Sequence, residues 1–166
     1  TPGTTYYRIL INDPNSDCSD PVSNVVSVLV QPDATVSIAP LTNNVCVGGS
    51  VSLTATVTGG SSALTIQWQT SPNGTSGWAN IGGANGLTFN PPTSTAGTTY
   101  YRVMITDNLS DCSDPISNNA QVIVAPDLLV TTQPLNVNEC VGGTSTMTVV
   151  VSGGSGTITY QWQSSP

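Results

Sequence analysis

The chain repeats itself at long range, and that repeat limits what it can fold into more than any other feature. TPGTTYYRILINDPNSDCSDP at residues 1–21 returns as TAGTTYYRVMITDNLSDCSDP at residues 95–115. The same shift carries Cys46-Val-Gly-Gly onto Cys140-Val-Gly-Gly and Gln67-Trp68-Gln69 onto Gln161-Trp162-Gln163. The period is roughly 94 residues without a gap, and about 40 of about 72 overlapping positions are identical, far beyond chance for a fixed-period repeat. One module is therefore used repeatedly. Its length is that of a single β-sandwich domain, and solenoid repeats are shorter.

Short alternating segments separated by turn residues give the strands of one period. They predict strand A near 35–39, B at 51–57, C at 65–70, a short strand around 78–81, E near 87–89, F at 100–106 and G at 120–124. Alternation points Val51, Leu53 and Ala55 of B, Ile66 and Trp68 of C, and Tyr101, Val103 and Ile105 of F into one core. Gly59-Gly60, Asn73-Gly74 and Gly82-Gly83 supply turn residues that tolerate positive φ. The fold class expected is all-β, a tandem array of immunoglobulin-like β-sandwich modules.

The phase of the repeat divides the chain. Residues 1–31 read as strands F and G of one module, residues 32–125 as a complete module, and residues 126–166 as strands A, B and C of the next. Such partial modules expose half a core and unpaired edges. The expectation is that they belong to a longer chain, or that neighbouring copies complete them by contributing strands and so form a polymer.

Composition narrows the chemistry. The chain has two basic side chains, Arg8 and Arg102, and neither Lys nor His. Its one Glu is Glu139, beside Cys140 in a predicted turn. Acid–base catalysis and hydrolase triads lack their usual groups, so no catalytic residue, metal site or cofactor is expected. A net charge of −7 repels nucleic acid and anionic membranes. No run approaches the roughly 18 apolar residues that span a bilayer, so no membrane insertion is expected.

The runs CVGGSVSLTATVTGG, IQWQTSPNGTSGWANIGGANG and AGTTYYRVMITD, followed by SDCS and an SN before the last strand, resemble Ig-like repeats of very large secreted proteins of Bacteroidetes. Those include gliding-motility adhesins and other substrates of type IX secretion. The resemblance implies an extracellular, cell-surface location, assembly into stalks or filaments with neighbouring modules of the same or an identical chain, and contact with surface glycans. It departs from the general immunoglobulin pattern in one respect. The B and F positions of the inter-sheet disulfide hold Ala55 and a residue near Arg102.

The disulfide candidates are Cys46, Cys112, Cys18 and Cys140. One pairing joins Cys46 to Cys112 within the module. The other joins Cys18 to Cys46 and Cys112 to Cys140 across the linkers. Asp107, Asp111 and Asp114, repeated as Asp13, Asp17 and Asp20, offer oxygen ligands for Ca²⁺, but their spacing matches no defined calcium loop and a solvated F–G loop is the simpler reading. Trp68 and Trp162 are expected in the core. Trp78, on an edge strand, either packs on the sandwich or stacks against a sugar ring. Arg102 is expected beside Tyr100 in a surface patch or against an Asp of the neighbouring loop. The sequons at Asn73 and Asn108 read as turns. Linkers such as Gln31-Pro32-Asp33 and Ala125-Pro126-Asp127 are short and contain Pro, which restricts the backbone and favours a rod over loosely jointed beads. The rival function is a carbohydrate-binding or spacer array attached to a secreted enzyme.

Overall fold

In a computed structural model, the structure describes residues 1–14, 19–108 and 113–166. The strands in chain order are β1 (Gly3–Tyr7), β2 (Val26–Val30), β3 (Thr35–Ala39), β4 (Thr42–Cys46), β5 (Leu53–Thr58), β6 (Leu64–Ser71), β7 (Ala79–Asn80), β8 (Thr88–Phe89), β9 (Gly97–Asp107), β10 (Ala120–Ala125), β11 (Leu129–Thr132) and β12 (Val150–Ser152).

The middle stretch folds as a two-sheet sandwich. One sheet has the order β3-β5-β8 and the other β4-β10-β9-β6-β7. In letters these are A-B-E facing A′-G-F-C-C′, with C, F and G together in one sheet, which is the immunoglobulin arrangement. The predicted strands A, B, C, C′, E, F and G are all present, with ends shifted by up to a few residues. Strand A′, β4, is an addition. Its sequence TNNVC lacks the alternation of a half-buried strand, and its place is set by parallel pairing with β10, where Thr42 meets Gln121 and Cys46 meets Ala125.

The core follows from the alternation. Leu53, Ala55, Trp68, Tyr101, Val103, Ile105, Ala120, Val122 and Val124 are buried, and Phe89 packs against them. Trp68 faces Val103 across β6 and β9. Its ring lies 5.5 Å from Phe89, which lies 5.5 Å from Tyr101, and its indole N–H donates to Gly86 O at 2.8 Å. A buried Trp needs such a partner for its one polar atom. Ala55 and Val103 fill the space between the sheets with methyl groups. The Asn118 side chain links the sheets as an amide pair, accepting from Ile38 N–H at 3.0 Å and donating to Ile38 O at 3.2 Å.

The repeat extends to single hydrogen bonds. In the middle module Ile105 N–H donates to Pro115 O and Ser117 Oγ accepts from Val103 N–H; in the first segment Ile11 N–H donates to Pro21 O and Ser23 Oγ accepts from Ile9 N–H. β3 pairs with β5 with Thr35 opposite Thr58 and Val36 opposite Val57, and β11 pairs with β12 with Leu129 opposite Ser152 and Val130 opposite Val151, the same register one period on until a bulge between Val130 and Thr132. What differs is cover. Tyr7 is 55% exposed where Tyr101 is 4%, and Trp162 is 52% exposed where Trp68 is 0%.

Two expectations for residues 126–166 are corrected. Strand C does not form there, because in the middle module it is held between β9 and β7 and residues 126–166 contain no counterpart of either. For the same reason Trp162 is not a core residue in this structure.

Candidate functional site

Two places gather polar or reactive side chains outside the core. The first is the outer face of the five-stranded sheet. Residues that alternate with the buried set on β6, β9 and β10 point outward, which places Gln69 opposite Arg102 and Gln121 opposite Tyr100. The Arg102 guanidinium lies 4.2 Å from the centroid of the Trp78 ring, and its Nε–H donates to Gln69 Oε1 at 2.7 Å. Gln69 Nε2 in turn donates to Asn80 Oδ1 at 2.9 Å on β7. The row runs from F through C to C′ and ties the short edge strand to the sheet. Partial desolvation there lowers the Arg102 pKa from its ordinary value.

Beside this row, Tyr100 is held by Gln121, whose Nε2 donates to the phenolic oxygen at 2.9 Å. The Tyr100 ring lies against the turn after β6, where Gly74 takes φ +72° and a Cβ would come 2.8 Å from the ring. Asn73 organises that turn. Its Oδ1 accepts from the N–H groups of Thr75 and Ser76, each at 2.9 Å. The Asn73 sequon is thus a turn, as expected. Leu109 and Ser110 of the second sequon lie outside the described residues, while Asn108 Nδ2 donates to Ala63 O at 3.3 Å.

Arg102 and Trp78, for each of which the sequence left two readings open, meet each other on this face. Among the described residues, Arg102 is held by Trp78 and Gln69 and not by an Asp of the neighbouring loop. Trp78 is the platform for that cation, and the guanidinium covers one face of its ring. Sequence reasoning missed this pair because 24 positions separate the partners. The available signal was that the chain's two cations, Arg8 and Arg102, occupy the same repeat position.

The second place is the end of the module where β10 leaves it. Val47 N–H donates to Ala125 O at 3.0 Å, and Gly154 N–H donates to Pro126 O at 2.7 Å. Cys46 is half-buried at the end of β4, and its thiol reaches Ser155 Oγ at 3.5 Å. Cys140 is exposed in the corresponding turn, and both carry free thiols. Cys18 and Cys112 lie outside the described residues.

The Asp-rich loops are only partly described, since Asp17 and Asp111 also fall outside. Asp107 is buried and accepts from Ser61 N–H at 2.7 Å and from Ser61 Oγ–H. Its own N–H donates to Asp114 Oδ1 at 3.0 Å, and Asp13 N–H donates to Asp20 Oδ1 at 3.1 Å one period earlier. These carboxylates therefore cap turns. Among the described residues no group of three or more His, Cys, Asp or Glu is placed to hold a metal, and no helix is long and apolar enough to cross a membrane.

No curated protein matches the chain. A solved structure described as "Structural basis for Dscam isoform specificity" is similar at 14% identity and a TM-score of 0.42, over 73% of this chain and 38% of that one. Residues 35–126 match the family described as "Domain of unknown function (DUF8696)". That match covers the two-sheet sandwich from β3 through β10 and more than half of the sequence, so the chain belongs to the DUF8696 family.

Proposed function

We propose that the chain is a structural repeat segment of a secreted cell-surface filament or giant adhesin, in which immunoglobulin-like modules are joined into a stiff extracellular stalk. The exporting cell is then one of the Bacteroidetes, as the repeat motifs imply. The observation that carries this reading is the linker. Ala125 and Pro126 are adjacent, yet the carbonyl of one is bound by the middle module and that of the other by the following segment. No free residue is left between them to act as a hinge. Two further features support a scaffold: the chain has no His or Lys, and the polar residues of its outer face are spent on one another.

The reading as a carbohydrate-binding array has one candidate platform, Trp78, and Arg102 covers one face of its ring. The test is immunolabelling of intact cells with antibody raised against the 166-residue chain. Labelling of unbroken cells along surface projections is expected. Labelling that appears only after lysis overturns the proposal.

A further inference from the structure

The cysteines and the linker geometry lead to a second conclusion, about how one module meets the next. β4 runs parallel to β10 and brings Cys46 level with Ala125, at the end of the module where the chain departs. Val124 is level with Gly97, and from there β9 runs to Asp107 at the far end. Ten residues at about 3.3 Å each separate the two ends by about 33 Å. Asn108, the last described residue before the F–G segment, is bonded at that far end to Ala63, and Pro115, just after it, to Ile105. Disulfide geometry requires Cα atoms within about 7 Å. Cys46 thus lies at the opposite end of the sheet from Asn108 and Pro115.

The neighbour that Cys46 does have is Ser155, 109 positions away in the B–C turn of the following segment. Both surfaces are prepared within their own modules. On one side, the turn Cys46-Val47-Gly48-Gly49 is closed by Gly49 N–H to Cys46 O at 2.9 Å. It is pinned to the E–F connection by Gly48 N–H to Thr93 O at 2.9 Å and Thr93 Oγ1–H to Gly49 O at 2.6 Å. On the other side, Gly153 and Gly154 take φ +84° and +85°, as Gly59 and Gly60 take +73° and +78° one period earlier. At both positions the second Gly donates to the linker proline's carbonyl, Gly60 to Pro32 and Gly154 to Pro126.

We propose that the A′–B turn of one module is the docking surface for the B–C turn of the next, so that the joint is fixed and Cys46 is a thiol of that joint. The occupant is the segment containing Gly153, Gly154 and Ser155. This deepens the stalk reading but is tested separately from it, since a hinged joint would leave a surface filament of flexible beads.

The test is disulfide trapping in the full chain, with Cys18, Cys112 and Cys140 changed to Ser and with Ser155→Cys. Incubation with glutathione disulfide joins the Cys46 sulfur to the sulfur introduced at 155. The two thiols give up two protons and two electrons, and the oxidant leaves as two glutathione thiols. The expected result is an intramolecular bond in the monomer and complete loss of alkylation at both thiols. In a control with Cys46→Ser and Thr42→Cys, which moves the thiol along β4 away from the joint, alkylation persists. Failure of Ser155→Cys to close while Trp68 emission reports a folded module overturns the proposal. Peptide mapping of the oxidised wild-type chain is the second measurement, and it needs no variant to fold. Recovery of Cys46 joined to Cys112 in the monomer overturns the proposal; absence of that pair supports it.

Discussion

The carbonyl oxygens of Ala125 and Pro126, neighbours in the chain, are bound by Val47 and Gly154, which lie on opposite sides of a module boundary. A flexible linker leaves its carbonyls to water. This one leaves neither, and on the proposed stalk reading the two turns set the angle between modules together with the proline. Loosening the linker is therefore expected to change the shape of the chain without changing the fold of its middle module. Insertion of Gly-Ser-Gly-Ser between Ala125 and Pro126 should broaden the distribution of end-to-end distances in small-angle scattering while the unfolding free energy of the middle module stays within about 0.5 kcal/mol of wild type, as for surface changes. An unchanged scattering profile would show that the linker does not govern the joint.

Trp68 and Trp162 occupy one repeat position in opposite environments, and their removal should separate accordingly. Trp68→Ala is expected to cost about 3–5 kcal/mol, the range for emptying an aromatic site in a core. Trp162→Ala should leave unfolding of the middle module within about 0.5 kcal/mol of wild type. Urea unfolding followed by circular dichroism measures both.

Tyr101 is expected to make the module sensitive to alkali. Burial raises its phenol above the ordinary value of 10.0, while hydrogen bonds with Thr99 and Thr70 act in the opposite direction and more weakly. The folded pKa exceeds the unfolded one, so the fold favours the neutral phenol. Its contribution is complete below pH 10.0, the unfolded value, and is lost as pH rises through the folded pKa. Tyr101→Phe should flatten the alkaline limb of the urea midpoint against pH. Retention of the full limb would assign it to other groups.

Arg102 over Trp78 is worth about 0.5–1 kcal/mol at a site this close to solvent. Arg102→Ala should destabilise by that amount, release the Gln69 to Asn80 row and change the emission of Trp78. Arg8→Ala, at the same repeat position, should change neither. Equal effects from both would mean that the stacking contributes nothing.

Gly59 takes φ +73°, and a Cβ there would run into the carbonyl of Asp33. Gly59→Ala should therefore cost at least about 1–2 kcal/mol, the penalty for a left-handed L-residue, with the clash added. Gly82→Ala, where a Cβ meets nothing within 4 Å, is the comparison and should be near neutral in thermal unfolding.

Much of the sandwich was legible in the sequence because its information is local. Alternation on B and F and the single Trp on C identified Leu53, Ala55, Trp68, Val103 and Ile105 as one core. The turn glycines fixed where strands end. What stayed hidden was set by partners far away in the chain. Strand A′ is polar and exists because β10 offers it an edge. The segment expected as strand C at the end of the chain has the alternating sequence TYQWQS but nothing to pair with. The Trp78 and Arg102 pair depends on the register of three strands, and the Cys46 to Ser155 contact depends on which ends of two modules meet. Neither is encoded in any window of the sequence.

The central claim is that these modules form a continuous stiff rod, and electron microscopy of the native material shed from cells tests it most directly. An 11-residue strand such as β9 spans about 36 Å at 3.3 Å per residue, so each module should add on the order of 40 Å of length. Thin, straight rods with that axial repeat are the predicted result. Isolated globular particles, or short module arrays ending in a separate catalytic domain, would contradict the account.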